Sequence, residues 1–218
     1  MSRTQIIPNE LQGGQGRPAW VDGTPPVTLT RLGAAKVEFL ARGVAQLKAN
    51  WRVLELFGGT GLSTAVIAAQ LSKPERLVSI DLHYGAGDWR YCVEANYRDA
   101  ASEQRLKQVE LPKFICADAA QLPLADATFD AVLAPDSPRT RFDASGIEAG
   151  LNDVEQRTLF ERATRESLRV LKPGGVWAAT APRSWLGNFP EVKIIEPSSS
   201  RLKFKPADDP VVYARLVK

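Results

Sequence analysis

Val53-Leu54-Glu55-Leu56-Phe57-Gly58-Gly59-Thr60-Gly61-Leu62-Ser63 changes character twice in eleven residues. A short apolar run of strand type gives way to three glycines in four positions, and these give way to an apolar helical pattern. Glycine tolerates positive φ and lets a ligand reach the bare backbone, so the segment reads as strand, tight turn and helix start. The one acid of the strand, Glu55, sits among apolar residues.

Downstream of the turn, short apolar runs alternate with helical patterns, the signature of a parallel sheet with crossover helices. The pattern predicts strands over about 52–57, 77–81, 113–117, 129–134 and 175–180, and helices over 62–71, 89–107 and 153–171. The last helix opens on Asn152 with Glu155 three residues on, which predicts a capping box. Two adjacent apolar rows mark it: Phe160, Leu168 and Leu171, and Leu159, Ala163 and Val170. After Trp185, strands over about 192–204 and 211–217 are expected to pair as a hairpin closing the sheet edge. Upstream, Val37, Leu40, Val44 and Leu47 recur at helical spacing and predict a helix over 29–49. Residues 1–27 are rich in Gly, Pro and polar groups and read as an irregular arm. The division is thus an arm at 1–27 and one α/β domain at 28–218.

Composition removes whole classes of chemistry. With 44% hydrophobic residues in 218, a full core can form, and no run approaches the ~18 apolar residues of a membrane helix. The first residues lack the apolar run of a secretory leader, which predicts a cytoplasmic protein. One histidine, His83, excludes a zinc site built on several, and no Gly-x-Ser-x-Gly turn accompanies it. Cys92 and Cys116 show no metal-ligand spacing, and no metal is expected. The net charge of +3 divides as +3 over 1–50, −3 over 51–180 and +3 over 181–218. Basic flanks around an acidic centre fit an anionic partner near the ends, and equally a solvated surface.

A ligand of an open parallel sheet binds beyond the carboxyl ends of the strands, where this glycine turn lies. Asp81 ends the next strand, 20 residues after Gly61, an offset that suits an acid reaching ribose hydroxyls. A dinucleotide turn would have a third glycine where Thr64 stands, and a Walker A loop would have Gly-Lys-Ser/Thr. Fewer glycines and an acid at Glu55 suit a ligand with a cationic amine and no phosphate. S-adenosylmethionine fits; a dinucleotide and a merely structural turn are the alternatives.

Two further segments carry a family resemblance. Cys116-Ala117-Asp118-Ala119-Ala120-Gln121-Leu122-Pro123-Leu124-Ala125-Asp126-Ala127-Thr128-Phe129-Asp130 resembles the third-to-fourth strand passage of class I (Rossmann-like) methyltransferases. Arg169-Val170-Leu171-Lys172-Pro173-Gly174-Gly175 resembles the turn before their fifth strand. With the glycine turn and Asp81, four motifs occur in the family's order over roughly 50–180. The resemblance implies a three-layer fold with a seven-stranded, mostly parallel sheet ending in an antiparallel hairpin. It also implies residue roles. Glu55 would orient the turn and meet the cofactor amine, and Phe57, Gly58, Gly59 and Gly61 would line the methionine side. Asp81 would take the ribose hydroxyls, and Asp118 the adenine amine with backbone help from Ala119. For Asp118 a helix cap is the other reading, and for Asp81 a solvated strand end.

In this family the end of the fourth strand faces the transferring methyl. Ala134-Pro135-Asp136-Ser137-Pro138-Arg139 resembles the Asp-Pro-Pro-Tyr type motif of enzymes that methylate exocyclic amines of bases. Ser137 replaces its first proline and Arg139 its aromatic, and a plain turn explains the segment as well. Asp136, Ser137 and Arg139 are therefore the candidate catalytic residues. Phe57 stands where many small-molecule methyltransferases of this fold have their first glycine, and the Leu-Phe-x-Gly-x-Gly turn it gives resembles those of enzymes acting on RNA or DNA bases. The 118–130 passage instead resembles enzymes acting on small metabolites and lipids. The expected function is methyl transfer to a small-molecule acceptor, with a nucleic-acid base as the alternative. A non-catalytic cofactor-binding subunit and a dinucleotide oxidoreductase stand behind it. Subsidiary candidates are His83, Tyr84 and Trp89 as walls of an adenine pocket, with His83 also a possible base. Arg139, Arg141 and the loop to Gly150 would form a substrate wall, the arm around Trp20 a lid, and Lys193, Arg201, Lys203 and Lys205 a basic strip.

Overall fold

In the computed structural model, residues 47–85, 93–99, 110–136, 140–142, 148–181, 183–186, 188–189 and 211–215 are described. In chain order the elements are β1 (Val53–Leu56), α1 (Leu62–Ala68), β2 (Leu77–Ile80), α2 (93–99), β3 (Lys113–Ile115) and β4 (Phe129–Ala134). They continue with β5 (Thr140–Phe142), β6 (Glu148–Gly150), α3 (Asp153–Val170), β7 (Leu171–Thr180) and β8 (Val211–Arg215).

Every residue of β1 is buried, because the strand is covered on both faces and flanked on both edges. It pairs in parallel with β2 on one side and β4 on the other. β3 lies outside β2 and β7 outside β4, so the order is β3-β2-β1-β4-β7, five parallel strands. β8 then runs antiparallel along β7, pairing Trp177 with Ala214. Six strands of the sheet lie among the described residues, and the strand expected over 192–204 lies outside them. The chain winds outward from β1 to β3 and returns to place β4 on the other side of β1. That reversal opens a crevice at the carboxyl ends of β1 and β4.

Two apolar layers enclose the sheet. Val53, Leu77, Ala131, Leu133 and Ala178 pack on Ala65, Val66 and Ala68 of α1 and Tyr97 of α2, with Leu47 and Trp51 at the margin. On the opposite face Leu54, Leu56, Phe129, Val132 and Trp177 pack on Phe160, Ala163 and Val170 of α3. Phe160 and Trp177 meet edge to face at 6.3 Å, and each large side chain so buried contributes roughly 1.5–3 kcal/mol.

The expected capping box is present: Asn152 accepts from the amides of Val154 and Glu155, and Glu155 accepts from the Asn152 amide. The buried stripe of α3 is Phe160, Ala163, Thr164, Ser167 and Val170, so two hydroxyl residues lie inside it while Leu159 and Leu168 flank it half-buried. Ser167 belongs there because its hydroxyl donates to the Ala163 carbonyl at 2.7 Å. Leu171 is the first residue of β7, not the last of the helix. The strand therefore starts four residues before 175, and the segment read as a preceding turn is a bulge within it. Pairing shifts from Phe129–Leu171 to Ala131–Val176, and Gly174 takes φ +73° in the bulge. The helix expected over 29–49 lies mostly outside the described residues, and 49–50 form a turn. The loop expected up to Gly150 includes the small hairpin β5–β6, which the sequence reading did not resolve into strands.

Candidate functional site

Glu55 lies in the middle of β1 with no exposed surface. A buried carboxylate needs donors on its oxygens, and three hydroxyls supply them. Ser63 Oγ donates to Oε1 at 2.6 Å, and Thr64 Oγ1 and Ser79 Oγ donate to Oε2 at 2.5 and 2.8 Å. Ser63 and Thr64 open α1, and Ser79 sits opposite Glu55 in the β1–β2 register. Tyr84 completes the cluster with its hydroxyl 2.9 Å from Ser79 Oγ. Burial, and then the charge of Glu55, hold the Tyr84 phenol protonated far above its usual range. Expected as a wall of the pocket, Tyr84 is instead buried beneath the turn, its ring edge-on to Phe114 at 5.3 Å.

The glycine turn rests on this cluster. Phe57, Gly59 and Gly61 take φ of +57°, +52° and +81°, left-handed values that glycine adopts without steric cost. Gly58 is required for a different reason: a Cβ there would overlap Ser79 Oγ and Tyr84 Oη. The Gly58 amide donates to the Ile80 carbonyl, and the Gly59 amide to Asp81 Oδ2 at 3.0 Å. Asp81 is thus no solvated strand end; it ties the end of β2 to the turn. Its Oδ1 accepts from the His83 amide at 2.9 Å and lies 2.6 Å from His83 Nδ1.

Farther along the sheet edge, Asp118 Oδ1 accepts from the Ala120 amide at 2.8 Å. This is the capping geometry of an Asx turn. Ala119 is buried against the α3-side core. Asp136 follows the buried Pro135 just past β4, beside the crevice, and is itself half-buried. Ser137, Arg139, Trp89, Cys92, Trp20, Lys193, Arg201, Lys203 and Lys205 lie outside the described residues.

The sequence reading missed two groups. The hydroxyl shell of Glu55 left a faint signal, since Glu55 and Ser79 are polar residues inside two apolar strands. The other is a clamp on the loop that follows Asp118. Arg169 donates to the Leu122 and Leu124 carbonyls at 3.0 and 2.8 Å, to both oxygens of Glu166, and to Asp126. Glu166 in turn accepts from the Leu122 amide at 2.8 Å. The Arg169 hydrogen bonds hold the Glu166 carboxyl below its ordinary range. The stabilisation is therefore full above the ordinary carboxylate pKa and lost only as acid takes the pH down through the lowered value. Arg169→Met should cost about 2 kcal/mol in urea unfolding at neutral pH, with an unchanged denaturant slope. The exposed Asp126 arm contributes little of that. A cost under about 0.5 kcal/mol would show the clamp to be ornamental.

Residues 54–179 match the family described as "Methyltransferase domain". A demethylmenaquinone methyltransferase of Clavibacter sepedonicus is 36% identical over 135 residues, covering 62% of this chain. The matched part spans 42% of that relative's length. Among solved structures, the YcgJ protein of Bacillus subtilis is similar with 23% identity and a TM-score of 0.40, covering 65% of this chain and 50% of its own. The cyclase SpnF is similar with 24% identity and a TM-score of 0.43, covering 83% and 51%.

Proposed function

The chain belongs to the methyltransferase domain family, and from that premise we propose that it transfers the methyl of S-adenosylmethionine to a small-molecule acceptor held beside Asp136. The observation that carries this reading is the bond between the Gly59 amide and Asp81 Oδ2 at the switch point of the sheet. It brings a turn of bare backbone and a carboxylate into one crevice, side by side, as a nucleoside with an amino acid tail requires. In the proposal Phe57, Gly58, Gly59 and Gly61 line the methionine side. Asp81 takes a ribose hydroxyl, and Asp118 and Ala119 meet the adenine. Glu55 orients the turn from beneath through its three hydroxyl donors.

The sulfonium makes the methyl carbon electrophilic, so the chain's task is alignment and exclusion of water. A base is needed only if the acceptor must shed a proton, and Asp136, with Ser137 and Arg139 next along the chain, stands where one would act. The small-molecule class is supported by the demethylmenaquinone methyltransferase relative, whose name specifies such an acceptor. A base of RNA or DNA is the second reading, supported by the Asp136-Ser137-Pro138 segment at the end of β4. A cytoplasmic location is part of the proposal; among the described residues no helix is long and apolar enough to cross a membrane.

The test is transfer of labelled methyl from S-adenosylmethionine into fractionated extract, with and without nuclease. Label in small metabolites is expected. Nuclease-sensitive label would move the acceptor to nucleic acid, and bound cofactor with no transfer would make the chain a non-catalytic subunit. Asp81→Ala should weaken S-adenosylhomocysteine at least tenfold by calorimetry, since a hydrogen bond to a charged group is worth roughly 1.5–3 kcal/mol. Unchanged affinity would remove Asp81 from the site.

A further inference from the structure

A carboxylate offers about four acceptor positions, two on each oxygen. In this structure Asp81 has three of them filled. The His83 amide and the His83 ring take Oδ1, and the Gly59 amide takes one position on Oδ2. One position is left, whereas a ribose presents two adjacent hydroxyls. Exposure leads to the same conclusion, because the Asp81 side chain is only 11% exposed and the His83 side chain 19%. The imidazole lies 2.6 Å from Oδ1, and little of the carboxylate is left for a nucleoside to reach.

From this arithmetic we propose that the His83 ring is a built-in competitor of the ribose diol, and that it leaves Asp81 Oδ1 when the cofactor binds. The inference rests on the reading of Asp81 as a ribose-binding residue. It makes His83 an affinity-setting residue, not a catalytic one. The bond that can break without moving the backbone is the one from the ring. The His83 amide and the Gly59 amide belong to the backbone, whereas the ring is carried on a side chain that can rotate without moving it. While it is docked against an ionised carboxylate, Nδ1 carries the proton. Release of the ring therefore exchanges one donor on Oδ1 for another, a hydroxyl of the ribose, with no proton gained or lost by Asp81.

Because His83 is the only histidine of the chain, its ring can be followed alone. With nitrogen-15 histidine incorporated, the free protein should show a hydrogen-bonded Nδ1 proton signal. Saturation with S-adenosylhomocysteine should abolish it, while methionine alone should leave it in place. A signal that persists unchanged at saturation overturns the proposal. In parallel, His83→Ala should tighten S-adenosylhomocysteine about tenfold, the affinity otherwise lost in displacing the ring. The gain should vanish for the analogue that lacks the hydroxyl destined for Oδ1, tested with the 2′-deoxy and 3′-deoxy forms. Equal or weaker binding by His83→Ala means that the ring steadies Asp81 instead of competing, and sinks the idea while leaving the cofactor reading intact. Failure of the wild-type chain to bind S-adenosylhomocysteine overturns both together.

Discussion

Glu55→Ala should lower the unfolding free energy by about 3 kcal/mol. The substitution leaves Ser63, Thr64 and Ser79 hydroxyls in a fully buried site without their acceptor, and each such group costs roughly 1–3 kcal/mol when unpaired. A cavity is added to that loss. The sum stays below three full penalties because the hydroxyls lie close to other oxygens: Ser79 Oγ is 3.4 Å from Thr64 Oγ1 and 2.9 Å from Tyr84 Oη. Glu55→Gln keeps the volume and one acceptor oxygen, and a hydroxyl can rotate to receive the new amide. It should therefore cost about 1 kcal/mol. Chemical unfolding of the two variants beside the wild type checks the order. Equal costs for Ala and Gln would mean that the retained volume and the single acceptor oxygen of Gln are worth nothing, and that only the full carboxylate satisfies the three hydroxyls. A family of domains stable by 5–15 kcal/mol can survive either change, so the folded variants remain available for binding measurements.

Gly58→Ala should reduce methyl transfer about a hundredfold, a larger effect than its cost in stability. The added methyl has nowhere to go, since it meets Ser79 Oγ and Tyr84 Oη. Neither atom is a free end: the serine donates to Glu55, and the tyrosine ring is buried against Phe114. The turn must therefore lift away from its bed. Overpacking of this kind costs roughly 1–3 kcal/mol in stability, while displacement of a reacting group by an ångström costs about a hundredfold in rate. Adding Tyr84→Phe to Gly58→Ala removes one of the two clashing atoms and should restore part of the activity. On its own Tyr84→Phe should do little harm. Such a cycle separates the steric account from a general loss of structure, because strict additivity of the two changes would contradict the clash.

The parts of the fold that were legible in the sequence are those decided locally or by strand burial. β4 ran over 129–134 as its apolar pattern predicted, and the Asn152–Glu155 cap depends on residues three apart. The glycine turn and Asp81 were legible for the same reason, since each lies at the end of a buried strand. The hydroxyl shell was not, because Ser63, Thr64 and Ser79 lie 8, 9 and 24 residues from Glu55 and look like ordinary small residues. Only the register that sets Glu55 opposite Ser79 brings them together. Arg169 was hidden differently. In the sequence it stands in what reads as a strand-leading turn, yet its side chain acts more than forty residues back along the chain, on Leu122, Leu124 and Asp126. The start of β7 was misplaced because Pro173 and two glycines mark a break in any one-dimensional reading, whereas a bulge accommodates them within a strand.

Phe57 carries a lesson of another kind. It holds a left-handed φ of +57° although it is no glycine, a conformation that costs an ordinary side chain roughly 1–2 kcal/mol. Its ring packs against the α3-side core, which offsets part of that cost. At this position the requirement is a backbone angle, and glycine is only the residue that meets it at least steric cost. A search pattern that insists on glycine there tests spelling where the turn needs shape, and it will pass over a chain that, like this one, pronounces the turn with a different letter.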